Sequence, residues 1–173
     1  MIKSPTHTGR LAALAKEFPD ARFIHVTRDP RALFPSTCRL WNSLAEVQGL
    51  QPPKQEADSS GSLPPHKRYV VDCLTRMYRA FFRQRGQIDP SRIVDIRYEE
   101  LVAEPVATLE HVYRSLRLSD FDSVRPVIEQ WVAEEHRSYR TNRHRLSDTD
   151  EATIRSAWKD YFEAFGYDSC RDT

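Results

Sequence analysis

The fold of this chain is decided by the stretch FIHVTRDPRALFPS, residues 23–36. Its first five residues are mostly β-branched or aromatic, which is typical of a buried strand. The strand ends at Arg28, after which Asp29 is suited to cap a helix and Pro30 to occupy its first turn. Because open α/β sheets bind ligands at the carboxyl ends of their strands, the stretch predicts an α/β fold with a ligand site at Arg28.

Arg28 and Ser36 together suit a phosphate group. The Arg28 guanidinium offers planar, bidentate donors, and Ser36 places a hydroxyl two turns into the helix that follows. The start of that helix adds backbone N–H groups and a positive dipole. Two other interpretations stay open: Arg28 forms an ion pair with Asp29 or a nearby carboxylate, and Ser36 donates back to a carbonyl of its own helix.

The composition limits the class of protein. The 173 residues fit one domain, predicted to span residues 1–173. A formal net charge of +1 argues against a general nucleic-acid binder, which needs a strongly basic face. Three widely spaced cysteines show neither a metal-binding spacing nor a disulfide framework, and they favour a reduced, cytoplasmic compartment. No run of ~18 apolar residues predicts a membrane span, and the first residues lack the apolar core of a signal peptide.

Periodic apolar residues indicate where the other elements lie. Helices are predicted over residues 9–18, 30–47, 67–85, 105–116, 123–135 and 150–165. A second strand is predicted over residues 92–98, and a right-handed crossover makes it parallel to the first. Residues 49–65 are rich in Pro and Ser and are predicted to form a flexible loop. The predicted class is α/β, a parallel sheet flanked by helices with a helix-rich C-terminal half.

Three motifs carry a resemblance to a known family. They are, in order, Lys3-Ser4-Pro5-Thr6-His7, then Arg28-Asp29-Pro30 with Ser36, then Tyr98-Glu99-Glu100-Leu101 directly after the second strand. Between the first two, residues 18–23 read Phe-Pro-Asp-Ala-Arg-Phe. This order and spacing resemble the sulfotransferases that use 3′-phosphoadenosine 5′-phosphosulfate (PAPS), and especially their bacterial-type branch. The resemblance covers residues 3–167 and implies the P-loop-related fold of that family.

The resemblance implies a role for each matching residue. Arg28 and Ser36 correspond to the pair that holds the 3′-phosphate of the nucleotide, and Tyr98 corresponds to the residue near the adenine. His7 corresponds to the catalytic base, and Lys3 to its companion cation. Other roles stay open: His7 caps the helix after it, Lys3 is a solvated lysine, and Tyr98 is a core aromatic residue.

A basic stretch near the C-terminus falls where family members place a second phosphate-contacting segment. It contains Arg140, Arg143 and Arg145. Arg143 is therefore a further candidate for cofactor binding, with a solvated run of charge as the alternative. The resemblance implies PAPS as co-substrate and requires no metal.

The sequence departs from the family at its beginning. The first strand and the glycine-containing loop that binds the phosphosulfate are expected before Lys3, and the five glycines of the chain form no such cluster. Three functions stay open. The first is transfer of a sulfuryl group from PAPS to a hydroxyl or amine of a small-molecule, glycan or peptide acceptor. The second is an inactive fragment or non-catalytic relative that keeps only the 3′-phosphate half-site, and the third is a P-loop kinase-like enzyme.

The absence of the family's first strand from this sequence also predicts a binding partner. A sheet without its first strand has an unpaired edge, and such an edge favours association with another chain. We therefore expect either a homo-oligomer or a further N-terminal segment that covers the edge.

Overall fold

The computed structural model describes residues 2–49, 63–134 and 146–168. The chain divides into two compact units: unit 1 comprises Met1–Arg28 and Ala80–Asn142, and unit 2 comprises Asp29–Arg79 and Arg143–Thr173. In chain order, the helices and strands are α1 (Leu11–Glu17), β1 (Phe23–Thr27), α2 (Pro30–Gln48), α3 (Pro65–Arg85), β2 (Ile93–Arg97), α4 (Tyr98–Ala103), α5 (Pro105–Ser115), α6 (Arg125–Glu134), α7 (Asp148–Ala157) and α8 (Lys159–Ala164).

The first helix of unit 1 starts later than predicted. Pro5–Arg10 forms a 3₁₀ turn, and the α-helix begins only at Leu11. Pro5 lacks an N–H and Gly9 is a poor helix former, which explains the tighter turn in this segment. Burial of the Leu11 side chain anchors the α-helix that follows. The helix ends at Glu17, and Phe18 leaves the helical region (φ −123°, ψ 81°) because Pro19 disfavours a helical conformation in the residue before it.

The two strands pair in parallel, as predicted. The register aligns Phe23 with Ile93 at one end and Thr27 with Arg97 at the other. Side chains alternate between the faces of the sheet, so His25 and Thr27 of β1 are buried while Ile24 and Val26 are exposed. The carboxyl ends of both strands therefore lie side by side.

Three helices, α4, α5 and α6, follow β2 in the described part of unit 1. Val112 of α5 and Leu116, which directly follows this helix, form a buried cluster with Val94 and Ile96 of β2. This packing covers the face of β2 that carries Val94 and Ile96. The short helix α4, which begins directly at Tyr98, was not among the predicted elements.

A polar network joins the strands to α3 within unit 1. The ring Nδ1–H of His25 donates to Asp95 Oδ1 over 2.8 Å, and Arg85 donates to Asp95 Oδ2 over 2.9 Å. The His25 ring lies 4.2 Å from the Phe81 ring, centroid to centroid. Burial raises the pKa of Asp95, but the hydrogen bonds from His25 and Arg85 outweigh burial and hold that pKa below its usual value.

Unit 2 has its own core, built by α2, α3, α7, α8 and the residues after α8. The buried members of this core are Phe34, Cys38, Val70, Val71, Ile154, Trp158, Tyr161, Phe162 and Tyr167. Phe34 packs edge-on against Trp158, with ring centroids 5.8 Å apart. Long, separate stretches of the chain thus meet in one apolar cluster, whose burial is the main source of stability for a unit of this kind.

The last predicted helix is in fact two helices. Ser147 caps α7 by accepting a hydrogen bond from the Asp150 N–H, and the helix breaks at Trp158 (φ −119°, ψ 29°) before α8 begins. The Trp158 indole N–H donates to Val71 O and Thr75 Oγ1 of α3. The prediction of one continuous helix over residues 150–165 is therefore wrong at Trp158. The break coincides with this tertiary contact, which local sequence does not reveal.

The remaining predictions about the fold have mixed outcomes. The parallel sheet and the helix-rich second half confirm the α/β class. Residues 50–62 of the predicted loop lie outside the described residues. One domain over residues 1–173 stays a prediction.

The Asp95 network makes a prediction about stability. Replacing Asp95 by Asn removes the charge that His25 and Arg85 contact, so we expect the free energy of unfolding at pH 7 to fall by about 2 kcal/mol. Because the folded-state pKa of Asp95 is below its ordinary value of 3.8, this stabilisation is present above that pH and is lost as pH falls through the folded pKa. Urea denaturation of both proteins at neutral and acidic pH measures the difference.

The control for this measurement is Asp122→Asn, which removes an exposed carboxylate of the same unit. We expect little change in its free energy of unfolding, since surface ion pairs contribute weakly. A loss in Asp95→Asn no larger than in the control, or one that does not shrink in acid, contradicts the prediction.

Candidate functional site

Arg28 and Tyr98 meet at the carboxyl ends of the two strands. Each residue directly follows the last aligned pair of the sheet, Thr27 and Arg97. The Arg28 guanidinium carbon lies 4.6 Å from the centroid of the Tyr98 ring, which is a cation–π contact. Both side chains are half-buried. The structure therefore brings together two of the residues that the sequence singled out.

Tyr98 is also the first residue of α4. Glu99 and Glu100 stand in the first turn of this helix, where negative side chains favour the positive end of the helix dipole. Acidic residues directly after a strand are the signal from which α4 was predictable. The helix and the register of β2 together place the backbone of Tyr98 beside Arg28.

His7 lies in the 3₁₀ turn of unit 1. Its backbone N–H donates to Ser4 O over 3.2 Å, and its side chain is half-buried. The ring Nδ1 is buried and has no hydrogen-bond partner within residues 2–49, 63–134 and 146–168. Lys3, its predicted companion, is exposed. Buried polar atoms without a hydrogen-bond partner are rare in proteins, and a catalytic role is one of the reasons for them.

Ser36 and the start of α2 belong to unit 2. Asp29 caps α2 as predicted, because its Oδ1 accepts from the Arg31 N–H over 2.8 Å. Ser36 is half-buried within α2. Since Arg28 lies in unit 1, its pairing with Ser36 at one phosphate stays a prediction. Arg143 lies outside the described residues.

Arg31 is a residue that the sequence interpretation missed. Its guanidinium donates to Asp29 Oδ2 over 2.8 Å, to Glu151 Oε1 over 3.3 Å and to Tyr167 O over 3.1 Å. Burial lowers the pKa of Arg31, but Asp29 and Glu151 outweigh it and raise that pKa above its usual value. Arg31 thus ties the first turn of α2 to α7 and to the residues after α8.

Unit 2 also contains a cavity of about 390 Å³. Its lining comprises Phe34, Pro35, Cys38, Arg39, Asn42, Ser43, Glu46, His66, Lys67 and Asp150. Two of these lining residues form an ion pair, in which Lys67 donates to Asp150 Oδ2 over 2.6 Å. Burial raises the pKa of the Cys38 thiol to about 11, so the thiol stays protonated at neutral pH and is a poor nucleophile. The cavity therefore offers hydrogen-bonding groups without a thiolate.

The described ranges contain neither a cluster of metal ligands nor a helix that could span a membrane. No group of three or more His, Cys, Asp or Glu side chains there is arranged to hold a metal ion. Each helix in the same ranges is too short or too polar to cross a membrane.

Comparison with known proteins decides the family. A family model described as "Sulfotransferase family" matches residues 1–123, which include Lys3, His7, Arg28, Ser36 and Tyr98. The chain belongs to the sulfotransferase family. The predicted resemblance is thereby confirmed at the level of the family.

Two curated sulfotransferases are similar to this chain over nearly its whole length. They are the proteins named omega-hydroxy-beta-dihydromenaquinone-9 sulfotransferase Stf3 of Mycobacterium bovis and of Mycobacterium tuberculosis. Each is 33% identical over 168 residues, which is 97% of this chain and 41% of the relative. The chain thus spans about two fifths of the length of the curated relatives it matches.

Solved sulfotransferase structures share the fold. The crystal structure of sulfotransferase STF9 from Mycobacterium avium matches with a TM-score of 0.73 at 22% identity, covering 95% of this chain and 41% of that one. A sulfotransferase domain from the curacin biosynthetic pathway matches with a TM-score of 0.51 at 16% identity, covering 91% of this chain and 61% of that one. These similarities confirm the predicted sulfotransferase-like α/β fold.

Proposed function

We propose that this sulfotransferase chain binds PAPS and takes part in transfer of its sulfuryl group to a hydroxyl acceptor. The observation that carries the proposal is the position of Arg28, held over the Tyr98 ring at the carboxyl ends of two parallel strands. Ligands of open α/β sheets bind at that edge. Membership of the sulfotransferase family supplies the reaction class.

The residues of the strand ends fit the nucleotide part of PAPS. A guanidinium recognises a phosphate through two parallel N–H donors, a geometry that a lysine ammonium lacks. In this proposal Arg28 contacts the 3′-phosphate, with Ser36 as its predicted partner on α2 and Arg143 as a further phosphate contact. The donor itself supplies the activated sulfuryl group when bound, and no metal takes part.

His7 is the proposed general base, with Lys3 as its companion cation. Its buried Nδ1 supports the assignment, because it has no hydrogen-bond partner in the described ranges. His7 takes the proton of the acceptor O–H as the acceptor oxygen bonds to sulfur. The bond between sulfur and the bridging phosphate oxygen then breaks, and adenosine 3′,5′-bisphosphate leaves. Imidazole suits this step because it titrates near neutral pH.

The proposed acceptor is a small molecule with a hydroxyl group. The curated relatives are named for a hydroxylated menaquinone, a small-molecule lipid. We extend that acceptor class to this chain in preference to a glycan, a peptide or an amine. Cys38 and Cys73 are free thiols, which supports the cytoplasm as the proposed compartment.

We also propose that the chain associates with itself through β1. Ile24 and Val26 are 45% and 46% exposed, which is unusual for a parallel strand because both faces of such sheets are normally covered. Within the described residues β1 pairs with β2 alone, so its other edge is open. A second copy that packs on the face of β1 carrying Ile24 and Val26 removes both apolar side chains from water.

Nucleotide binding tests the Arg28 assignment. Replacing Arg28 by Met should weaken binding of adenosine 3′,5′-bisphosphate roughly tenfold to a hundredfold, because charge-assisted hydrogen bonds to the phosphate are lost. Calorimetric titration measures the dissociation constant. Arg114→Met is the matched control, since Arg114 is an exposed arginine of the same unit. Equal affinities of the Arg28 variant and the wild type contradict the assignment.

Sulfuryl transfer tests the role of His7. His7→Gln should lower the transfer rate from labelled PAPS roughly a hundredfold or more while nucleotide affinity stays unchanged, because only the proton transfer is lost. His111→Gln, an exposed histidine of unit 1, is the control. Full activity of the His7 variant removes His7 from the mechanism. Nucleotide binding by the wild type without any transfer supports the non-catalytic relative instead.

Light scattering tests self-association. We expect the wild-type mass to exceed that of one chain at micromolar concentration, and Val26→Lys to return it to one chain by placing a charge on the open face of β1. Val127→Lys is the control, because Val127 is 69% exposed on α6. A monomeric wild type, or oligomers unaffected by Val26→Lys, overturns the proposal.

A further inference from the structure

The contact between Arg28 and Tyr98 bears on what the tyrosine does. The family resemblance implies that Tyr98 lies near the adenine. The structure places the Arg28 guanidinium over the ring, with its central carbon 4.6 Å from the ring centroid. The face of the ring toward Arg28 is thus already in contact with a cation of the same chain.

We propose that Tyr98 is a positioning residue for Arg28 and so determines selectivity for nucleotides that carry a 3′-phosphate. This inference rests on the proposed function, because it concerns the residue assigned to that phosphate. Tyr98 acts through the orientation of the guanidinium and need not contact the base.

The planar shape of a guanidinium explains how contact with the Tyr98 ring orients that of Arg28. Its five N–H donors lie in the plane of the group, so a ring against one face leaves the edge donors directed at a ligand. A long side chain that is already held in place loses less conformational freedom when the ligand binds. Tyr98 therefore keeps Arg28 ready for a bidentate contact.

The backbone makes this arrangement specific. Thr27 and Arg97 are aligned in the sheet, so Arg28 and Tyr98 leave neighbouring strands at the same level. Tyr98 is also held as the first residue of α4. The backbone of Tyr98 is consequently held on both sides, by β2 before it and by α4 from it onward.

The two roles for Tyr98 predict different effects on two nucleotides. Adenosine 3′,5′-bisphosphate and adenosine 5′-phosphate share the adenine and differ in the 3′-phosphate. A residue that contacts adenine affects both nucleotides equally. A residue that orients Arg28 affects only the bisphosphate, since only that ligand meets the guanidinium.

Calorimetric titration of wild type, Tyr98→Phe and Tyr98→Leu with both nucleotides separates the roles. We expect Tyr98→Leu to weaken bisphosphate binding about threefold to thirtyfold, the range that loss of a cation–π contact implies, and to leave binding of the monophosphate unchanged. Tyr98→Phe keeps the ring and should keep the wild-type preference. In an Arg28→Met background, Tyr98→Leu should have no further effect on either ligand.

The matched control is Phe23→Leu. Arg92 lies over the Phe23 ring at 5.9 Å, so this variant removes another cation–π contact of unit 1 that has no proposed ligand. We expect its nucleotide preference to equal that of the wild type. Circular dichroism confirms folding of each variant, and Tyr98→Met, with a side chain of similar length and no ring, replaces Tyr98→Leu should the latter not fold.

Each other outcome is decisive. Equal losses for both nucleotides assign Tyr98 to the adenine and overturn the inference, as does an unchanged preference in Tyr98→Leu and Tyr98→Met. A wild-type protein that binds both nucleotides equally, or neither, refutes the proposed function at Arg28 instead, so the two failures are distinguishable.

Discussion

The register between β1 and β2 is the constraint on which the rest of unit 1 depends. It places Arg28 beside Tyr98, and it also places His25 opposite Asp95. A slip of one residue would move every side chain to the other face of its strand. It would also separate the buried His25 ring from the carboxylate it contacts and leave both groups without this bond, a costly state in the interior. The polar network inside the sheet and the candidate site at its edge are therefore consequences of one alignment.

Local chemistry made parts of the structure predictable. The end of β1, the Asp29 cap and Pro30 in the first turn of α2 are all encoded within a few neighbouring residues, and each appears as predicted. Arg28 and Tyr98 each follow a strand in the sequence, so their place at the carboxyl edge was predictable too. Their contact was not, because the register of a parallel pair depends on contacts between residues some seventy positions apart.

The predictions that were wrong or incomplete also concern contacts between residues far apart in the sequence. The apolar stripe of the last predicted helix runs through Trp158 without interruption, and the break appears only with the contact between its indole and α3. The residues around Arg31 give no sign of a tertiary role for it. Two of its acceptors lie 120 and 136 residues further along the chain. For Ser36 and Arg143, the sequence supplies motifs, and the site they imply stays a prediction.

The core of unit 2 sets the order in which this protein can fold during synthesis. Phe34 and Val70 are synthesised before the segment Ala80–Asn142, whereas their core neighbours Ile154 and Tyr167 are synthesised after it. All of unit 1 after Ala80 is translated between the two groups. The core of unit 2 therefore stays incomplete, with apolar side chains exposed to water, while the intervening segment is synthesised. Exposed apolar surface of this kind is what chaperones bind, and the late capture of Tyr167 O by Arg31 marks the completion of the unit.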